Sequence, residues 1–186
     1  MEQRKDNKIL LHACCGICSA HPINYLREAG YDVSVYFYNP NIFPREEYLK
    51  RLEAERILCK KYNVELIEGD YRPEDFQEAA KGLENEPEKG KRCDKCFELR
   101  LRKTAEKALE LKIEKFTTSI VISPHKNYEK LTEIGTRIAQ ETNLTYVGIN
   151  FRKNDGFLKT NKISKELNLY RQHYCGCQYS IRPEVS

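Results

Sequence analysis

The sequence lacks any long hydrophobic run. Of its 186 residues 40% are hydrophobic, but no stretch approaches the roughly 20 consecutive apolar residues that a membrane helix needs. Residues 1–8 are polar and charged and lead directly into a strand-like segment, so we expect no secretory signal. Repeats, low-complexity segments and interior linkers are also missing. We therefore expect a cytoplasmic protein without membrane association, folded as one domain over residues 1–186.

Cysteine is abundant for such a chain. In a reducing compartment disulfides are rare, so eight cysteines predict metal binding or catalysis. Seven fall into three tight groups: Cys14, Cys15 and Cys18; Cys93 and Cys96; Cys175 and Cys177. The eighth, Cys59, stands alone on a predicted helix, and we expect it to be a small buried apolar residue.

Short apolar runs alternate with helical segments along the chain. Strands are predicted at residues 8–13, 32–38, 64–67, 115–123 and 145–149. Helices are predicted at about 19–29, 44–62, 73–82, 93–111, 128–142 and 160–166. This alternation predicts an α/β fold, with a parallel sheet of about five strands and helices on both faces. Residues from about 150 to 186 form a basic, cysteine-containing C-terminal segment.

Polar or thiol side chains follow every predicted strand. They are Cys14 and Cys15; Asn39 and Asn41; Asp70; Ser123, His125 and Lys126; Asn150 and Arg152. The carboxyl ends of parallel strands meet at one edge of the sheet, where sites form in α/β proteins. We therefore expect one shared site there.

Thiolates are the natural ligands of zinc and of iron–sulfur clusters. Cys93 and Cys96 are three residues apart at a predicted helix start, where they share a face and the helix dipole favours the thiolate. The glycine within Cys175–Cys177 permits a tight bend. Adjacent Cys14 and Cys15 diverge in regular structure, so they indicate a loop or two separate targets.

The number of clustered thiols exceeds what one metal site takes. Structural zinc and cuboidal iron–sulfur clusters each take four ligands. The remaining thiols indicate a second metal, a redox pair or open coordination. We favour an iron–sulfur enzyme, and the alternative is a zinc-stabilised RNA-binding module without catalysis.

The charge is uneven. Residues 145–186 contain seven Lys or Arg and three Asp or Glu, so they carry the whole net charge of +4. Aromatic and basic side chains alternate within this segment: Tyr170, Arg171, His173, Tyr174, Tyr179 and Arg182. Nucleic-acid-binding proteins stack bases on such aromatics and bind phosphates with such cations. The alternatives to nucleic-acid binding are a solvated basic face and ordinary packing of the tyrosines.

Residues 10–41 resemble the opening of the PP-loop ATP pyrophosphatases, which implies a HUP-like fold. In that family a Gly/Ser-rich turn binds pyrophosphate. The corresponding turn here, residues 13–19, keeps one glycine and carries three cysteines. Thiolates repel a triphosphate, so we expect the fold without ATP chemistry.

A closer resemblance covers nearly the whole chain. It rests on LLHACCGICS (residues 10–19), YNPNIFPREEYLKR (38–51), EGDY (68–71), RCDKCFELRL (92–101), TTSIVISPHKN (117–127) and LYRQHYCGCQYS (169–180). The sequence is similar to the cobalamin-independent epoxyqueuosine reductases of the QueH family. The resemblance implies reduction of epoxyqueuosine to queuosine in a tRNA anticodon loop, a 4Fe–4S cluster with an additional iron, and an external electron donor. Some members of that family have Asp at the position of Cys18.

Residue roles follow from the resemblance together with the cysteine chemistry. Seven cysteines are expected to bind metal: Cys14, Cys15, Cys18, Cys93, Cys96, Cys175 and Cys177. Catalytic roles are expected for Cys14, Cys18, Cys177 and Asp70. Substrate binding is expected for Asn39, Asn41, His125, Lys126, Arg152, Tyr170, Arg171, Tyr174 and Tyr179. The cluster is expected on Cys93, Cys96, one of Cys14/Cys15 and one of Cys175/Cys177, with Cys18 and the remaining members on the second iron.

Overall fold

A parallel sheet forms the centre of the protein. The computed structural model describes residues 7–181. The strands are β1 (Lys8–His12), β2 (Asp32–Phe37), β3 (Glu65–Glu68), β4 (Lys115–Thr118) and β5 (Thr145–Tyr146). They are all parallel, in the order β3-β2-β1-β4-β5. The predicted five-stranded parallel sheet is confirmed, and its strand order is consistent with a HUP-like fold.

Helices enclose the sheet. They are α1 (Gly16–Glu28), α2 (Arg45–Tyr62), α3 (Pro73–Ala80), α4 (Lys91–Glu110), α5 (Tyr128–Thr142) and α6 (Gly156–Glu166). Helix α1 packs against α2 and α6, and α4 packs against α3 and α5. Along β1, residues 9–12 are all fully buried, although successive side chains point to opposite faces. Both faces of the sheet are therefore covered.

Several boundaries differ from the sequence-based expectation. The strand predicted over residues 115–123 ends at Thr118, and a 3₁₀ turn, Ser119–Ile122, follows it. The hydroxyl of Thr118 accepts a hydrogen bond from the Ile120 amide at 3.2 Å and so starts the turn. These residues are buried whether they form strand or turn, so their apolar pattern did not distinguish the two. Similarly, β5 has two residues where five were expected.

The strand order determines where a site forms. The chain builds β2 and β3 on one side of β1 and then crosses to build β4 and β5 on the other. The crevice at the carboxyl ends of β1 and β4 is the switch point of such a sheet. Within residues 7–181, no helix has the length and apolar character needed to cross a bilayer.

Candidate metal-binding active site

A cavity of about 490 Å³ opens at the carboxyl ends of β1 and β4. This volume lies within the range of small-molecule and cofactor sites. Residues 171–175 of the C-terminal segment form one wall, and residues 123–126 after β4 form another. Cys14 and Cys18 line the cavity from the start of α1.

The three N-terminal cysteines form a compact group, the Cys14 triad (Cys14, Cys15 and Cys18). Their sulfur atoms all lie within 4.8 Å of one another, and those of Cys14 and Cys15 are 4.0 Å apart. Cys15 is the N-cap of α1, in an extended conformation with φ −175° and ψ 159°. Its sulfur accepts the backbone N–H of Cys18 at 3.4 Å, which turns it toward the first helical turn. Of the two interpretations of this adjacent pair, a loop or two separate targets, the structure has the loop: the irregular backbone before α1 brings both sulfurs together.

The triad has an uneven charge distribution. Hydrogen bonds with Cys15 and Cys18 lower the pKa of Cys14 well below its usual range. The hydrogen bond with Cys14, together with burial, raises the pKa of Cys15 and of Cys18, and the contact with Cys15 adds to the rise at Cys18. These interactions favour the thiolate at Cys14 and the protonated thiols at Cys15 and Cys18. A metal ion that binds all three sulfurs must displace the protons of Cys15 and Cys18.

Polar side chains surround the triad. The amide nitrogen of Gln172 lies 3.0 Å from the sulfur of Cys15 and 3.9 Å from that of Cys18. The hydroxyl of Ser119 accepts the backbone N–H of Cys14 at 3.3 Å and lies 3.8 Å from its sulfur. These partners come from the C-terminal segment and from the turn after β4, so distant parts of the chain complete this group.

His12 lies beneath the triad at the end of β1 and is fully buried. Its Nε2 faces the carbonyl of Tyr38 at 3.0 Å, so this nitrogen carries the proton, and Nδ1 lies 3.1 Å from the Thr118 hydroxyl. Burial, together with the nearby Arg100 charge, lowers the pKa of His12 to about 4. His12 is therefore a neutral, structurally bonded side chain at neutral pH.

The other four clustered cysteines line a second, smaller cavity. They are Cys93, Cys96, Cys175 and Cys177, and we call them the four-cysteine set. Cys93 and Cys96 lie on the first two turns of α4, as their spacing predicted. Among residues 7–181, the Cys14 triad is the one group of three or more His, Cys, Asp or Glu side chains whose ligand atoms all lie within 4.8 Å of one another. No three of the four sulfurs in this set therefore all lie within 4.8 Å of one another.

Hydrogen bonds hold three of these four sulfurs. The ammonium of Lys126 donates to the sulfur of Cys175 at 2.8 Å, and the backbone N–H of Lys89 donates to that of Cys93 at 3.3 Å. The thiol of Cys177 lies 3.6 Å from the Ser180 hydroxyl. Burial raises the pKa of Cys96 to about 11. Positive charge from Lys126 and backbone donors thus oppose the effect of burial at some of these sulfurs.

A buried arginine lies between the two cysteine groups. Arg100 lines both cavities and is 4% exposed. Its Nε donates to the carbonyl of Cys96 at 3.3 Å, and Nη1 lies 3.5 Å from Oδ1 of Asn39. The largest effect on the pKa of Cys14 comes from its hydrogen bonds with Cys15 and Cys18, and the largest effect on that of Cys96 comes from burial. The charge of Arg100 lowers the pKa of both by a smaller amount. One cation therefore opposes the effect of burial on a cysteine in each group.

The two groups suit different occupants. Three sulfurs around one tetrahedral ion at about 2.3 Å stand about 3.8 Å apart, close to the spacing in the triad. The four-cysteine set is less tightly grouped than the triad, and its four thiols match the ligand number of a polynuclear iron–sulfur cluster. The donor set of the chain thus fits a single metal ion at the triad and a cluster at the other four cysteines.

Comparison with known proteins agrees with this chemistry. The family model described as "Epoxyqueuosine reductase QueH" matches residues 9–183. The chain belongs to the epoxyqueuosine reductase QueH family. It is 43% identical to the epoxyqueuosine reductase QueH of Acinetobacter baylyi, with 95% of this chain and 81% of the relative covered. It is 39% identical to that of Dehalococcoides mccartyi, with 93% and 92% covered, and 38% identical to that of Streptococcus pyogenes, with 94% and 70% covered.

Part of the predicted substrate-binding set of this QueH family member lines the large cavity. These residues are Asn41, His125, Lys126, Arg171 and Tyr174. Asn41 is 3% exposed, and its Oδ1 has no hydrogen-bond partner among the described residues. An unpaired buried acceptor beside a cavity indicates a place for a ligand donor.

Other predicted site residues lie elsewhere. Asn39, Asp70, Arg152, Tyr170 and Tyr179 do not line the large cavity. Asn39 donates to the Ala13 carbonyl at 2.8 Å, Tyr170 donates to Glu47 at 2.6 Å, and Tyr179 packs under Arg92. Asp70 is exposed beyond β3, at the edge of the sheet. Arg182 lies outside the described residues.

Three further residues reach the site without having been assigned from the sequence: Arg51, Arg100 and Gln172. Arg51 and Arg100 are charged residues on the inward faces of α2 and α4, where Glu47 and Arg92 are buried as well. A charged residue among apolar neighbours on a helix face was the available signal for them. Gln172 lies in residues 169–180, one of the stretches that carry the resemblance to the QueH family, but nothing in its residue type distinguished it.

Proposed function

We propose that this protein reduces the epoxide of epoxyqueuosine in a tRNA anticodon loop, which yields queuosine. The observation that carries the proposal is the convergence of seven thiols on the cavities at the switch point, in a member of this family. Relatives across 93% or more of the chain bear the name epoxyqueuosine reductase. The reaction consumes two electrons and two protons and releases the epoxide oxygen as water. An external donor supplies the electrons.

We assign the 4Fe–4S cluster to the four-cysteine set and the additional iron to the Cys14 triad. The wider spacing of the four sulfurs and the close spacing of the three support this assignment. It replaces the expectation that each of the pairs Cys14/Cys15 and Cys175/Cys177 divides between the two metals. When bound, the cluster supplies one-electron transfer and the iron supplies Lewis-acid polarisation of an oxygen.

The side chains around the metal ligands prepare the site for this chemistry. Arg51, Arg100 and Lys126 bring three positive charges to a cavity lined by thiols, and so reduce its net negative charge. Water is excluded from the sulfurs, because Cys15, Cys18, Cys96 and Cys177 are each at most 9% exposed. Charges in such a dry site interact more strongly than in water.

The modified base enters from the open side of the large cavity. Tyr174 and Asn41 provide an aromatic face and an unpaired acceptor there, while His125, Arg171 and His173 are exposed at its rim. The cation of Arg171 and the imidazole N–H donors at the rim suit the phosphates that flank a base in a single-stranded loop. Four residues expected to bind the substrate do not line the cavity and support it only through neighbouring side chains: Asn39, Arg152, Tyr170 and Tyr179. Asp70 lies too far toward the edge of the sheet to face the cavity.

The test is anaerobic purification followed by iron, sulfide and zinc analysis, with turnover of epoxyqueuosine-containing tRNA. We expect a brown protein that contains iron and sulfide and converts this tRNA to the queuosine form. A colourless protein that zinc alone stabilises, and that binds RNA without turnover, would instead support the zinc-stabilised RNA-binding module.

The Cys18→Ala variant tests the division of metals. It removes one of three triad sulfurs and leaves the four-cysteine set intact, so we expect the visible absorption to persist while about one iron per chain and the activity are lost. Cys18→Asp restores an anionic ligand, and we expect part of the activity to return. Loss of sulfide together with iron in Cys18→Ala would show that Cys18 binds the cluster.

A further inference from the structure

The C-terminal cysteines lie on a segment with little regular structure. Residues 167–181 contain only the 3₁₀ turn Gln178–Ser180, so most of their backbone groups need partners from elsewhere. Arg51 on α2 supplies two such partners. Its Nη1 donates to the carbonyl of Cys175 at 2.9 Å, and its Nη2 donates to the carbonyl of Tyr174 at 3.0 Å.

Arg51 is itself fixed by an ion pair. Its Nε donates to Oε1 of Glu47 at 2.7 Å, and both side chains are at most 8% exposed. The second carboxylate oxygen of Glu47 accepts the hydroxyl of Tyr170 at 2.6 Å. One buried pair on α2 thus binds the C-terminal segment at Tyr170 and again at Tyr174 and Cys175.

The contact between Arg51 and the segment is close. Gly176 has φ +130°, and a Cβ there would lie 3.0 Å from Nη1 of Arg51 and 3.2 Å from Ile42. The carbonyl of Gly176 accepts the backbone N–H of Phe43 at 2.8 Å. A glycine is required here both by the backbone conformation and by the approach to the guanidinium.

A buried ion pair where a helix packs against a loop has a large desolvation free energy, because both charges lose their hydration. Apolar side chains would fill the same space at lower cost. The pair provides a fixed direction for two carbonyls, since the planar guanidinium donates from three nitrogens in a set geometry. Those carbonyls belong to Cys175 and to the residue before it, so their direction determines where its sulfur points.

We propose that Arg51 is a positioning residue that holds Cys175 and Cys177 against Cys93 and Cys96. The metal-free chain then already has the four-cysteine set arranged for its occupant, so little ordering is needed when the metal binds. The identity of that occupant rests on the proposed function, but the positioning of the thiols does not.

The first experiment measures thiol positions without metal. The full chain is treated anaerobically with a chelator and a reductant, and the alkylation rate of each cysteine is followed by mass spectrometry. In Arg51→Lys, which keeps the charge but loses the fork, and in Arg51→Gln, we expect Cys175 and Cys177 to react roughly tenfold faster or more, since two charged hydrogen bonds are lost. Rates at Cys14 and Cys15 stay within twofold.

The control is Arg56→Gln on the same helix. Arg56 is 46% exposed, pairs with Glu53 and Glu68, and does not contact the C-terminal segment. We expect wild-type alkylation rates at every cysteine in this variant. Tyr170→Phe is a milder second variant, which removes only the hydroxyl that binds Glu47, and we expect a smaller acceleration confined to Cys175 and Cys177.

The outcomes separate the proposal from its alternatives. Unchanged rates at Cys175 and Cys177 in both Arg51→Lys and Tyr170→Phe would overturn it. An equal acceleration at all cysteines would overturn it too, because that pattern reports general loss of folding. In anaerobically purified Arg51→Lys, we further expect iron and sulfide per chain to fall together. If alkylation changes as expected but the wild-type chain contains no sulfide, the positioning role stands and the proposed function fails.

Discussion

Glu55 on α2 is a buried acid whose ionisation opposes folding. It is fully buried, its Oε1 lies 3.7 Å from the thiol of Cys59, and its Oε2 has no hydrogen-bond partner among the described residues. Burial raises the pKa of Glu55 to about 8, although contacts with Ser19 and Cys59 offset part of this effect. At neutral pH the folded protein therefore holds a proton that the unfolded chain releases.

The sign and size of the effect follow from linkage. The folded pKa of about 8 lies above the unfolded value of 4.5, so the native state binds more protons between these values and stability falls as the pH rises through this window. Each pKa unit corresponds to about 1.4 kcal/mol. Glu55→Gln keeps the shape of the side chain and does not ionise. We expect its free energy of unfolding to exceed that of the wild type by about 3 kcal/mol at pH 8, after allowance for relaxation around the charge, and to match it near pH 5.

Urea unfolding of the full chain, followed by circular dichroism at pH 5, 6, 7 and 8, measures this difference. Glu53→Gln is the matched control, because Glu53 lies on the same helix and is 60% exposed. We expect its stability to follow that of the wild type at every pH. A difference between Glu55→Gln and wild type that does not change with pH, or the same pH dependence in Glu53→Gln, would refute the assignment of the buried charge to Glu55.

Three further predictions concern residues near the site. Cys59→Ala should leave iron per chain and turnover unchanged, measured by metal analysis and tRNA assay, while thermal unfolding shows a loss of about 1–2 kcal/mol from the emptied space. A drop in iron would place Cys59 among the ligands. Gly16→Ala should destabilise the fold by about 1–3 kcal/mol in urea titration, because the added Cβ would lie 2.6 Å from the carbonyl oxygen of Ala54; unchanged stability would show that α1 and α2 separate easily. ATP should neither bind nor be needed for turnover, because the turn at residues 13–19 has three cysteines and one glycine and so lacks a glycine-rich backbone cradle for phosphate; micromolar binding by calorimetry would contradict this.

The fold was predictable because its signals are local. Each strand is a short apolar run. Because β1 is buried on both faces, its sequence lacks the alternation of polar and apolar residues that is typical of half-exposed antiparallel sheets. The end of β4 was not predictable in the same way. Residues 119–122 are as buried as the strand before them, and the hydrogen bond from Ile120 to the Thr118 side chain, not hydrophobicity, decides that they turn.

The cysteines could be identified from the sequence as candidate metal ligands, but which of their sulfurs lie together could not. Cysteine counts and spacing indicate ligands regardless of the three-dimensional arrangement. The grouping depends on Cys15 being an N-cap, since its extended backbone turns its sulfur back toward Cys18 and leaves it beside Cys14. Helix α1 begins at Gly16, three residues earlier than expected, and this shift alone changes which sulfurs meet.

The position of each strand in the sheet explains which predicted residues reach the cavity. The residues after all five strands were expected to share one site, because the sequence does not give the order of the strands in the sheet. In the order β3-β2-β1-β4-β5, residues after the three inner strands face the switch point, and those after the outer two lie at the margins. Cys14, Asn41 and Lys126 follow inner strands and line the cavity, whereas Asp70 and Arg152 follow outer strands and do not. The C-terminal segment packs against α2 through Arg51 and Glu47, and it brings Gln172 and Cys175 to the inner strands from the far end of the chain. A site built this way needs long-range packing to be complete, which is why charged residues on α2, remote in sequence from any cysteine ligand, become part of its support.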